Sequence, residues 1–113
     1  LHLTQIANAR SYVDKEAKRI SAMIKAHETI SIVRELRKKA EQIRENELLR
    51  AMHRLKSISS DDQVILDLLT KSIFNKLLHE PTVRLMQESI SGNGGNHEEA
   101  IRELFGINTG KSV

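Results

Sequence analysis

A chain of 113 residues has room for one ordinary domain and no more. It holds no Cys, no Trp, one Pro, five Gly, one Tyr and two Phe, which excludes a disulfide scaffold, a Cys-based zinc site and a thiol nucleophile. The 18 Lys and Arg against 15 Asp and Glu leave a net charge of +3, short of a nucleic-acid-binding arm.

That average hides a polarity. Residues 1–56 carry 13 basic and 7 acidic side chains (+6), and residues 57–113 carry 5 and 8 (−3), so any attraction to RNA sits on the first half. Many of these charges stand four apart, as in Asp14 with Lys18, Glu35 with Lys39 and Glu98 with Arg102, the spacing of solvated pairs on a helix surface. No apolar run approaches the roughly 20 residues that cross a bilayer, and Leu1-His2-Leu3-Thr4 does not open a signal peptide, so the chain reads as intracellular. The start, without Met and already inside a helical pattern, reads as a piece of something longer.

The first segment places Leu3, Ile6, Arg10, Val13, Ala17, Ile20, Ile24 and His27 at alternating steps of three and four, a coiled-coil-like seam that has to lie along another body. His27 is read as a seam-edge histidine with one nitrogen in water. Across residues 26–32 the register is lost and β-branched residues crowd together, which predicts a kink or short break. An unbroken rod over residues 1–56 is about 85 Å long, far more than a compact domain of this size. A second helix follows with a wider apolar arc: Val33, Leu36, Ala40, Ile43, Leu48, Ala51, Met52 and Leu55.

The polar stretch 56–62 breaks the chain again. Ser60 with Gln63 has capping-box spacing, with Ser59 and Asp62 as the alternative frame. The third helix presents Val64, Ile65, Leu68, Leu69, Ile73, Phe74, Leu77 and Leu78, the richest apolar face in the chain, and stops near His79 because the residue before a proline leaves the helical region. His79 is then a C-terminal histidine suited to the helix dipole. Pro81 opens a fourth helix through Val83, Leu85, Met86 and Ile90. Residues 91–96 read as a flexible linker, Asn96 caps a last short helix ending at Gly106, and a frayed tail runs over 107–113.

Catalytic and cofactor motifs are missing. Gly110-Lys111-Ser112 has Phe105 where the first Gly of a phosphate loop belongs, and no strand precedes it. The five His (2, 27, 53, 79 and 97) form no His-x-x-x-His pair, so no metal site, no cofactor site and no catalytic residue is expected in this chain. Lys38-Lys39 with Arg34 and Arg37 lack the interleaved aromatics that stack bases.

Three strings in this order resemble the C-terminal region of glutamyl-tRNA reductase: Leu36-Arg37-Lys38-Lys39-Ala40-Glu41-Gln42-Ile43-Arg44-Glu45-Asn46-Glu47-Leu48, then Asn75-Lys76-Leu77-Leu78-His79-Glu80-Pro81-Thr82-Val83-Arg84-Leu85, then Ile101-Arg102-Glu103-Leu104-Phe105-Gly106. The resemblance covers residues 33–106 well and residues 1–28 more loosely. The chain departs from the family where many members carry an aromatic residue and a Pro; Ser31 stands at that Pro.

The resemblance implies an all-α fold, a long N-terminal helix leading into a helical bundle of about five helices. It divides the chain into the end of a spinal helix (1–28), a dimerisation domain (29–106) and a tail (107–113). It also implies a cytoplasmic homodimer, archaeal or bacterial rather than plastid, whose parent enzyme uses NADPH to convert glutamyl-tRNA to glutamate-1-semialdehyde for tetrapyrrole synthesis. This piece is then a scaffold for the other domains, with weak tRNA binding or none. The residues expected in its core or subunit seam are Leu36, Ile43, Leu48, Leu55, Leu68, Leu69, Phe74, Leu77, Leu78, Val83 and Leu85. The competing reading is a helical adaptor that binds RNA or a partner protein through the basic N-terminal half.

Overall fold

The computed structural model describes residues 2–92 and 95–107, which form three α-helices and no strand: α1 (His2–Arg54), α2 (Ser60–Ser91) and α3 (Gly95–Phe105). The all-α class with a long leading helix is as expected. The helix count is three rather than about five, because the chain runs straight through two of the expected breaks.

The first is at residues 26–32, where α1 continues without interruption. Each β-branched residue there costs about 0.5 kcal/mol of helix propensity, but Thr29 and Ile32 are fully buried, and burying one large aliphatic side chain returns about 1.5–3 kcal/mol. The Thr29 hydroxyl also lies 3.0 Å from the Lys25 carbonyl one turn back, an acceptor within the helix that competes for its single hydrogen. Tertiary packing outweighs local preference here, and the long rod exists: the molecule measures 83 × 32 × 17 Å. Its radius of gyration is 21.8 Å, against roughly 13 Å for a compact chain of this length.

The second is Pro81, which lies inside α2 rather than at a helix start. It removes the hydrogen bond to the Leu77 carbonyl, a cost of about 3 kcal/mol in a helix interior. Leu78 and Leu85 on either side are buried, and Thr82 Oγ1 donates to the Leu78 carbonyl at 2.6 Å, so packing carries the helix across. His79 therefore sits on the exposed surface of mid-helix, not at a C-terminus.

The break after α1 is real. Ser59 is the N-cap of α2, with extended backbone and its hydroxyl accepting from the Asp62 amide (3.1 Å). The Ser59 and Asp62 frame is the one used. α1 and α2 pack as an antiparallel hairpin, with Arg44 near Asp67 at the turn end and Lys25 Nζ donating to the Gly92 carbonyl (3.2 Å) at the other.

Burial on α1 recurs at Thr29, Ile32, Leu36, Ala40 and Arg44, one stripe at helical spacing. It meets Leu78, Leu85 and Ser89 of α2. α3 begins at Gly95, one residue before the expected Asn96 cap. It closes on Gly106 in the left-handed conformation (φ 61°), with the Ile107 amide reaching back to the Arg102 carbonyl (2.9 Å) in the manner of a Schellman stop. That turn drives Ile107 into the cluster formed by Leu36, Ala40 and Leu78, with Phe74 and Ile101 against it. Ile107, placed by its sequence in a tail, is thus core; 108–113 lie outside the described residues.

Candidate subunit interface

Eleven residues were expected in the core or the subunit seam, and the fold sorts them into groups. Leu36, Leu78 and Leu85 are buried within the chain; Leu48 and Phe74 are half-buried; Ile43, Leu55, Leu68, Leu69, Leu77 and Val83 are exposed. The exposed ones are not scattered. Successive residues of a helix turn by 100°, and between residues 64 and 77 of α2 this sets Val64 and Leu68 on one flank, Ile65, Leu69 and Ile73 outward, and Leu77 on the other flank. All six are more than half exposed. A helix that is apolar on every side is ordinarily buried on every side, yet here α1 covers a single face.

Further along α2 the outward positions become Lys76, Glu80, Arg84 and Gln87, and Arg84 pairs with Glu80 (3.2 Å) on the solvated surface. Most of the uncovered apolar surface of the hairpin therefore lies at its turn end, where α1 and the residue that follows it add exposed Ile43, Leu49 and Leu55, while Ile90 is exposed near the other end.

The N-terminal arm of α1 is bare as well. Leu3, Ile6, Val13, Ile20 and Ile24 of the coiled-coil-like seam are all exposed, and His27 is in solvent. Among the described residues none covers these side chains, in keeping with a seam made for another body.

Polar groups that sequence reasoning passed over hold the three helices in register. Arg44 occupies the fifth position of the buried stripe and is only 4% exposed. Its guanidinium donates to Asp67 Oδ1 (2.8 Å) and Thr70 Oγ1 (3.3 Å) on α2 and, through Nε, to Glu41 Oε2 (3.0 Å). Hydrogen bonding from Arg44 holds the Glu41 carboxyl below its ordinary value. Lys71, 2.9 Å from Asp67 Oδ2, is the first cause of the same downward shift at Asp67, and Arg44 the second. The two carboxylates in turn raise Arg44.

α3 is tethered in a similar way. Glu98, 4% exposed, accepts from the buried Thr29 hydroxyl, and Lys39 Nζ donates to the Phe105 carbonyl at the end of α3. His97 Nδ1 lies 2.7 Å from Glu88 Oε2, an ion pair when the imidazole is protonated. Glu98 and Lys39 thus make contacts between helices. The signal that could have found Arg44 was present: a charged residue in phase with Ile32, Leu36 and Ala40 is either a defect or a paired group.

Among the described residues no three His, Cys, Asp or Glu side chains assemble into a metal-holding group, and no helix is long and apolar enough to cross a membrane. What the geometry offers is association, with one uncovered apolar tip and one uncovered apolar arm.

Comparison with known proteins bears on what associates. A family model described as the glutamyl-tRNAGlu reductase dimerisation domain matches residues 8–107. Glutamyl-tRNA reductase of Chloroflexus aggregans is 32% identical over 99 residues, covering 88% of this chain and 22% of that protein. That of Thermosynechococcus vestitus is 34% identical over 100 residues, covering 88% and 24%. That of Roseiflexus sp. is 32% identical over 107 residues, covering 95% and 24%. No solved structure matches. The chain spans less than a quarter of the length of the curated relatives it matches. With the family model covering nearly its whole length, the chain belongs to the glutamyl-tRNA reductase family and constitutes its dimerisation domain.

Proposed function

We propose that the chain pairs with a second copy of itself through the turn end of the α1–α2 hairpin, and so holds together the two halves of a glutamyl-tRNA reductase. The observation that carries this reading is the stretch 64–77 of α2, apolar on all sides but covered on one. A second copy related by a two-fold axis presents the same stretch and covers the rest. The seam takes in Leu68, Leu69, Leu77, Ile43 and Leu55, while Leu36, Leu78 and Leu85 belong to the core of each subunit, Leu48 and Phe74 lie between the two, and Val83 stands at the margin.

Residues 1–28 act as the end of a spinal helix and residues 29–106 as the dimerisation domain proper. What supports this division is that burial on α1 starts at Thr29. The exposed arm before it is the place for the other domains of the parent enzyme. By its family, the cytoplasmic parent acts on glutamyl-tRNA, reducing its glutamyl group with NADPH to glutamate-1-semialdehyde.

The residues present do not fit a dinucleotide, since the described residues contain no strand and hence no glycine-rich strand-to-helix turn to receive a pyrophosphate. We assign NADPH and tRNA contacts to the rest of the parent, and to this domain the spacing of two active halves.

Sedimentation equilibrium of the chain tests the reading. A dimer persisting at low micromolar concentration is expected, dissociating when Ile73 is replaced by Glu; a well-folded monomer at all concentrations would overturn it.

A further inference from the structure

We infer that α3 forms part of the subunit seam and that dimerisation depends on its being docked, an inference that rests on the dimer reading above. The six apolar side chains of residues 64–77 that α1 leaves uncovered are each more than half exposed. A stable interface needs about 800 Å² from each partner. Leu49 and Leu55 at the turn end extend this face.

Along α2 the outward face turns largely polar at Lys76, Glu80, Arg84 and Gln87, with Val83 and Ile90 as its remaining exposed apolar residues. The apolar surface continues sideways instead. Leu77 and Phe74 share an apolar notch with Ile43 of α1 and Phe105 of α3. One turn on, Pro81 shares a groove with Ile101 and Leu104 of α3. Leu104 is 80% exposed and Phe105 nearly half exposed, although they end a helix whose other side is packed into the core. The occupant is the second copy, because the notch and groove open on the flank of α2 that carries Leu77 and are continuous with the seam.

α3 stays in place through few apolar contacts, chiefly Ile101 and the following Ile107, and through the tethers at its two ends, Thr29 to Glu98 and Lys39 to the Phe105 carbonyl. Thr29 and Glu98 are buried between α1 and α3 and act as positioning residues for the exposed Leu104–Phe105 edge. Loosening α3 removes that edge from the seam.

The experiment is sedimentation equilibrium of the full chain and of three variants, with hydrogen exchange of the α3 amides. Leu69→Asp, in the α2 part of the seam, is expected to dissociate the dimer. Leu104→Glu, at a position too exposed to disturb the subunit fold, is expected to weaken it at least tenfold. Thr29→Val, which keeps shape and removes the tether, is expected to weaken it several-fold and to speed exchange in α3 but not in α2. If Leu104→Glu and Thr29→Val match the wild type while Leu69→Asp dissociates, the role of α3 is refuted and the dimer reading stands. If Leu69→Asp also matches the wild type, or the wild type is a monomer, both fail.

Discussion

Replacing Leu69 by Asp separates a side chain that holds the subunit together from one that holds two subunits together. Leu69 points outward from α2 and is 53% exposed in the single chain, so a carboxylate there stays hydrated in a monomer and leaves helix content unchanged. Covering the exposed half of a leucine is worth about 1 kcal/mol, and a two-fold seam loses it twice, about 2 kcal/mol or thirtyfold in Kd. Two carboxylates forced into an apolar seam add desolvation on both sides and bring the loss to roughly 4 kcal/mol or more, about a thousandfold. Sedimentation equilibrium reads the association and far-UV circular dichroism reads the fold. A variant dimer with the wild-type Kd would refute the placement of Leu69 in the seam, and so would loss of helicity at concentrations where the wild type is monomeric, since that would make Leu69 core.

Other substitutions test the subunit itself, at fixed protein concentration because dimerisation couples to unfolding. Leu78→Ala, in the cluster with Leu36, Ala40 and Ile107, is expected to cost about 2–5 kcal/mol by chemical denaturation. Pro81→Ala restores a donor to the Leu77 carbonyl inside α2 and is expected to stabilise by about 1–3 kcal/mol; a destabilised variant would mean that the fixed backbone angle of proline matters more than the lost bond. Gly106→Ala places a Cβ at φ 61°, 3.1 Å from Lys39 Nζ. The lysine end can move but the backbone angle cannot, so a loss of about 1–2 kcal/mol is expected from the angle alone.

Acid should also loosen the hairpin. Glu41 and Asp67 titrate below their ordinary values of 4.5 and 3.8 in the folded state, so the folded form binds fewer protons than the unfolded one as these groups titrate. Their contribution is fully present above about pH 5 and is lost as pH falls from there through the lowered folded values. Thermal melts between pH 6 and pH 3 should show a falling Tm, less steep in an Arg44→Met variant.

Much of this architecture could be read from the residues because periodicity and caps are local. The helical stripes, the Ser59 start of α2 and the Gly106 stop of α3 each announce themselves within a few positions. The two misplaced breaks were places where a local rule met a nonlocal gain. The crowding near Thr29 and Ile32 and the interruption at Pro81 are genuine costs, overruled by contacts with residues distant in sequence, such as Glu98 for Thr29 and Leu36 for Leu78. The split between core and seam was illegible for a related reason. Leu69 and Leu78 look alike in a helical wheel drawn without a partner, and only the position of α1 against α2 tells them apart. Arg44 was missed because an arginine in an apolar stripe reads as a blemish until Glu41, Asp67 and Thr70 converge on it.

The continuity of α1 turns the N-terminal arm into a lever. The helix before Lys25, whose Nζ meets the Gly92 carbonyl, reaches about 35 Å from the packed hairpin at 1.5 Å per residue. A tilt of about 10° where the helix enters the bundle sweeps its far end through about 6 Å. Thr29 and Ile32, the first fully buried positions, are the fulcrum. Small changes of packing there are magnified at the free end, and whatever rides on that end inherits its angle from two side chains.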